Sequence, residues 1–164
     1  MRIFKKKGEI KVIQLLRVDH RLLHGQVVFS WCSQLNPNCI LIADDNIVND
    51  SVRISALRLG KPNDTKLVIK NVSDSISAIN SGKTDKYNLI IIVPNIEEAV
   101  TLAKNVKQIT SINLGGTKAN KLTHPISNMV NVTDEEEKLL REVIGLGKEV
   151  YIQAVPSEQR REFK

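Results

Sequence analysis

The sequence predicts an α/β protein: an open, mostly parallel mixed sheet of about seven strands with helices on both faces. Short apolar runs alternate with longer amphipathic ones, with turn residues between them, as βα units require. Most of the short runs are continuous Leu or β-branched stretches rather than alternating ones, which suits strands buried on both faces. Aromatic residues are only 4% of the chain against 41% hydrophobic overall, so the core must be built from Ile, Leu, Val and Ala.

Element by element, strands are expected at VIQLLRVD (12–19), CILIAD (39–44), KLVIKN (66–71), NLIIIVP (88–94), SINLG (111–115), MVNVT (129–133) and EVYIQAVP (149–156). Helices are expected over 25–35, 50–59, 73–81, 96–105 and 134–146. Ser73 is the expected cap of the third helix, and Thr133 followed by Glu136 has the spacing of a capping box. The link from SINLGG to MVNVT contains Pro125 and no helical period, so that strand pair is expected to be antiparallel. His124 falls in this link and reads as a loop residue. Phe29 and Trp31 are expected to pack in the core or at its edge.

The 164 residues suit a single domain, read as 12–164, preceded by a basic and flexible N-terminal arm over 1–11 that holds Arg2, Lys5, Lys6, Lys7 and Lys11. No apolar run approaches the roughly 20 residues that cross a bilayer, and the start lacks a secretory signal, so a cytoplasmic location is expected. Cys32 and Cys39 are too far apart for a CxxC pair and read as buried free thiols. The net charge of +6 permits nucleic-acid binding, but the basic residues are scattered and aromatics too few for base stacking, so no nucleic-acid partner is expected.

The chemistry concentrates between Arg17 and His24, where two arginines and two histidines crowd together after an apolar strand. This loop falls at the carboxyl edge of the sheet, where ligands of open α/β folds gather. A helix beginning near Gly25 would turn unpaired N–H groups toward it, and Arg17 and Arg21 add planar donors suited to phosphate. Neither GxxxxGK[ST] nor GxGxxG is present, so a nucleotide is not the natural ligand. The simplest remaining chemistry makes His24 a phosphoryl acceptor, kept neutral by the arginines, with Asp19 holding an arginine or the histidine in place. By residue type alone, an ordinary surface histidine is the commoner reading. A metal held by Asp19, His20 and His24 would need that segment to be helical, and no metal or cofactor is expected. Gly115 and Gly116 fit close backbone approach to the loop or a phosphate, or equally a turn of positive φ. Asp44 and Asp45 read as turn or capping residues rather than an acidic pocket.

RVDHRLLHGQVVFSW (17–31) closely resembles the signature of the IIB components of the mannose, fructose and sorbose family of the bacterial sugar phosphotransferase system. The matching positions are Arg17, Asp19, Arg21, His24, Gly25 and Gln26. ILIADD, NDSVRISALRLGKP, INLGGT and GKEVYIQAVPSE resemble the family in the same order, so the resemblance runs from Leu15 to the end. It implies a protein-N(pi)-phosphohistidine-sugar phosphotransferase. His24 would take a phosphoryl group from a phosphohistidine of a IIA component through Nδ1, steadied by Arg17 and Arg21. It would then pass the group to a sugar carried by membrane IIC and IID components, with Gly25, Gln26, Gly115 and Gly116 around the phosphoryl site. The resemblance also implies a cytoplasmic protein peripherally associated with that transporter, and family members are monomers or homodimers. Position 20 is His where many relatives carry Asp, and Thr117 stands where Met is common.

Overall fold

The computed structural model describes residues 12–164, so the basic arm over 1–11 lies outside the described residues. Seven strands form one sheet in the order β3-β2-β4-β1-β5-β8-β9. β1 (Ile13–Asp19) lies at its centre between β4 (Leu89–Val93) and β5 (Ser111–Gly116), parallel to both. β2 (Cys39–Ala43) and β3 (Lys66–Lys70) extend one side, and β8 (Glu149–Ile152) extends the other, all parallel. β9 (Arg161–Glu162) closes the far edge antiparallel to β8.

The chain leaves β1 toward β2 and leaves β5 toward β8. The connections therefore diverge between two neighbouring strands, which opens a crevice at their carboxyl ends. Two apolar clusters sandwich the sheet. On one face Leu15, Leu22, Val27, Trp31, Ile40, Ile42 and Ile92 meet α2 (Ser51–Gly60) and the helical segment after β1. On the other, Leu16, Val18, Leu41, Ile91 and Leu114 meet α3 (Val72–Asn80), α4 (Ile96–Asn105) and α5 (Asp134–Gly145). The continuous run Leu89–Val93 is fully buried, as a strand covered on both faces must be.

Capping residues fix where the helices begin. Thr133 and Glu136 form the expected capping box of α5. Asn95 caps α4 and Asp50 caps α2. The cap of α3 is Asn71, whose side chain accepts from the Asp74 N–H at 2.7 Å, rather than Ser73; the helix starts earlier because an amide oxygen at 71 reaches the first turn. The helical segment over 25–35 is mainly a π-helix, Val27–Cys32, running into α1 (Ser33–Leu35). Asn36 in the left-handed region ends it.

Three expectations fail at the carboxyl side. The 129–133 run supplies only β7 (Asn131–Val132), which pairs antiparallel with β6 (His124–Pro125) outside the main sheet instead of joining SINLG. Thus His124 is a strand residue, bound to Glu137 Oε1 at 2.7 Å. The 149–156 strand ends at Ile152, and the seventh strand of the sheet is the unforeseen β9. Phe29 is 80% exposed, because Val27 and Trp31 occupy the inward side of the π-helix. Cys32 and Cys39 are buried free thiols. Asp44 accepts from the Asn46 N–H and Asp45 from the Val72 N–H, the turn and capping work expected of them.

Candidate active site

Residues 15, 17 and 19 of β1 face the helical segment after the strand, so Arg17 and Asp19 point into the same layer as Trp31. Both side chains are fully buried. The chain then turns sharply: the Leu22 N–H donates to the Asp19 carbonyl, the His20 N–H to the Gly116 carbonyl, and Leu22 adopts φ +58°. A leucine rarely takes that conformation, and burial of Leu22 and Leu23 in the core holds it there. The loop is thus pinned by its apolar residues, and His24 emerges at the mouth of the crevice with 20% of its side chain exposed.

Asp19 organises the site. Oδ1 accepts from the Arg21 backbone N–H at 3.0 Å and from Arg21 Nε at 3.1 Å. Oδ2 accepts from Arg17 Nε and Nη2, from Arg21 Nη2 and, at 3.0 Å, from His24 Nε2. Burial alone would raise the Asp19 pKa. The hydrogen bonds from Arg21 and His24, the charge of Arg17 and the Arg21 N–H outweigh it and hold the carboxyl below its ordinary value. An ionised carboxylate only accepts, so the proton of a neutral His24 ring sits on Nε2 and the Nδ1 lone pair is left free.

The two arginines have different surroundings. Arg17 spends its donors inside the protein, on Asp19, on Asn113 Oδ1 at 2.9 Å and on the Gln153 carbonyl at 3.2 Å. Burial pulls its pKa down, against the opposing pull of Asp19. Arg21 is one-third exposed and also donates to Gln26 Oε1 at 3.2 Å, so it is the guanidinium a ligand can reach. Gly25 and Gln26 are exposed beside it. Gly115 and Gly116 belong to β5 without positive φ, which removes the turn reading. Gly115 faces the Arg17 guanidinium, whereas Gly116 lies next to Arg21, Asp19 and His20. A groove of about 980 Å³ lies toward the β3 edge of the sheet near Cys39, Lys66 and Leu89 and contains none of these residues.

An open α/β sheet that presents an oriented imidazole beside a reachable guanidinium at its switch point has the build of a phosphoryl-transfer protein. Residues 13–164 match the family model of the PTS system sorbose subfamily IIB component. A probable phosphotransferase enzyme IIB component of Streptococcus pyogenes is 30% identical over 156 residues, 91% of this chain and 95% of its own. The sorbose-specific EIIB component of Lacticaseibacillus casei is 28% identical, with 90% of each chain covered. The IIBSor domain of the Klebsiella pneumoniae sorbose permease superposes with a TM-score of 0.85 at 25% identity, over 90% of this chain and 91% of that one. The chain belongs to the sorbose-subfamily IIB components of the sugar phosphotransferase system, and is a phosphotransferase of that system.

Sequence reasoning missed Asn113, Gln153 and Trp31, all of which enclose Arg17. The INLGGT resemblance was the available signal for Asn113. The Gln153 contact is through a carbonyl, which no side-chain pattern reveals.

Proposed function

We propose that His24 is a transient phosphoryl carrier between a phosphorylated IIA component and a sugar held by membrane IIC and IID components, on a single IIB domain over 12–164. The observation that carries this is the 3.0 Å contact of His24 Nε2 with Asp19, which leaves Nδ1 as the free nucleophile. The Nδ1 lone pair forms the new N–P bond as the bond from phosphorus to the donor imidazole breaks, and the electron pair of that bond returns to the donor nitrogen. The Nε2 proton stays on the ring, shared with Asp19, so no general base is required. Arg21, with Gln26 orienting it, stabilises the equatorial phosphoryl oxygens in the transition state. Gly25 and Gly116 leave the phosphoryl group room beside it. Arg17 acts through Asp19, because no part of its side chain is exposed.

One carboxylate against two guanidinium groups leaves the site positive, which favours docking of acidic surfaces. Among the described residues no helix is long and apolar enough to cross a membrane. The proposed location, in the cytoplasm and peripherally at the transporter, rests on the kinship with IIB components.

The test is intact mass at neutral to alkaline pH after incubation with phosphoenolpyruvate, enzyme I, HPr and a cognate IIA component. One added phosphoryl group, lost on acidification and absent without IIA, is expected. No modification by a demonstrably phosphorylated matching IIA would instead indicate a module that binds its partners without carrying phosphate.

A further inference from the structure

Two residues of the INLGG stretch of β5 meet the arginine behind the site. In the β1–β5 register Arg17 stands directly opposite Asn113. Asn113 is fully buried; its Oδ1 accepts from Arg17 Nη1 at 2.9 Å and its Nδ2 donates to the Gln153 carbonyl at 3.1 Å. Arg17 Nη1 donates to that same carbonyl. The guanidinium is therefore fixed at one end by Asn113 and Gln153 and grips Asp19 Oδ2 with the other.

It is enclosed by Trp31 and Gly115 as well. The Trp31 ring lies 5.7 Å from Cζ, held by an indole N–H bond to the Ala154 carbonyl at 3.0 Å. A Cβ built on Gly115 would fall 2.1 Å from Cζ and 2.4 Å from both Nη atoms. Only glycine leaves space for the guanidinium there.

Resting on the carrier reading above, we propose that Asn113 and Gly115 are positioning residues for phosphoryl transfer. They lock Arg17 so that the Asp19 carboxylate faces His24 Nε2 and selects the ring tautomer with Nδ1 free. Neither residue touches the phosphoryl group. Without the lock Arg17 can rotate and its two bonds to Asp19 Oδ2 are lost, which leaves the one-third exposed Arg21 as the only guanidinium holding Oδ2 toward the imidazole. A hydrogen bond at one ring nitrogen fixes a histidine tautomer, and in metal sites, where outer neighbours orient a histidine in the same way, their loss typically costs about 10- to 100-fold in affinity or activity, the scale expected here.

The experiment compares wild type with Asn113→Ala and Gly115→Ala, which disturb Arg17 from different sides. Two-bond ¹H–¹⁵N correlation spectra of the histidine rings read the His24 tautomer without requiring any phosphoryl transfer. Rapid-quench phosphorylation by a phosphorylated IIA component reads the rate, and circular dichroism confirms folding. Wild type is expected to show the Nε2–H form, with folded variants giving mixed tautomers and single-turnover rates lower by about 10- to 100-fold. The fluorescence of Trp31, the single tryptophan, should shift in both variants. If one variant does not fold, the other carries the test. If neither folds, the proposal stands or falls on the wild-type tautomer, and a ring protonated on Nδ1 rather than Nε2 overturns it. Folded variants that keep the Nε2–H form and the wild-type rate, with only lower thermal stability, would also overturn it by showing that the lock is purely structural. A wild-type protein with the expected tautomer but no phosphoryl acceptance would instead count against the carrier reading.

Discussion

Asp19→Asn keeps the side-chain volume and removes the charge on which the site is organised. The carboxylate receives six hydrogen bonds, from Arg17 Nε and Nη2, from Arg21 N, Nε and Nη2, and from His24 Nε2. An amide cannot accept them all, and its NH2 would point donors at donors. Arg21, one-third exposed, can relax into water, so its share is that of a surface pair, under about 1 kcal/mol. Arg17 has no exposed side-chain surface and would be left as a buried, underpaired charge. Removing one partner of a buried pair costs about 3–5 kcal/mol, and the surviving bonds to Asn113 and Gln153 place this case near about 3 kcal/mol. Urea unfolding at pH 7 measures it. Adding Arg17→Met should recover part of the loss, because no stranded charge then remains.

The pH dependence is a second readout of the same substitution. The Asp19 pKa is depressed in the folded state, so its contribution to stability is complete above the unfolded value near 3.9 and is lost as pH falls below it. Wild type and Asp19→Asn should therefore converge in stability as pH drops below about 4. A loss smaller than about 1 kcal/mol at pH 7, or a gap that stays constant into acid, would refute the assignment of Asp19 as the ionised hub of the site.

Arg21→Ala should leave His24 able to accept phosphate but slow transfer by about 10²- to 10³-fold in rapid-quench assays, because only transition-state stabilisation is removed; an unchanged rate would give Arg21 another role. Glu98 is half-buried near Asp44 and Asp45, and burial first, then those carboxylates and Glu97, raise its pKa to about 7 despite the Asp45 N–H bond. A raised carboxyl destabilises the fold increasingly as pH climbs from the unfolded value through the folded one, so Glu98→Gln should stabilise the protein more at pH 8 than at pH 5 in thermal melts. An equal effect at both pH values would remove that burial argument. Thr133→Ala breaks the capping box and should cost about 1 kcal/mol by urea unfolding, with transfer rates unaffected.

Where local pattern and tertiary context agree, the sequence reads well. The apolar run of β4 and the 96–105 helix with its acidic first turn stand where they are expected, and so does Thr133 with Glu136. Misreadings occur where long-range contacts decide. Arg161 and Glu162 carry no strand pattern and become β9 only because β8 offers an unpaired edge. Met129–Thr133 looks like a strand by composition, but only two of its residues pair, and with a partner that contains proline. The site divides in the same way. Arg17, Asp19, Arg21 and His24 stand out because they crowd within eight residues, but it is the resemblance of RVDHRLLHGQV to the family signature that singles out His24 among them. The difference between a buried Arg17 and a reachable Arg21 is not, because Asn113, Gly115 and Gln153 create it from distant strands.

The most direct test of the carrier assignment is to locate the phosphoryl group itself. The protein would be phosphorylated through a IIA component at alkaline pH, then mapped by peptide mass spectrometry and by ³¹P and ¹⁵N NMR of the intact chain. One phosphoryl group on Nδ1 of His24, absent from His24→Ala with its fold intact, is the predicted result. A phosphoryl group on His20, on His124 or on Nε2 of His24 would contradict it.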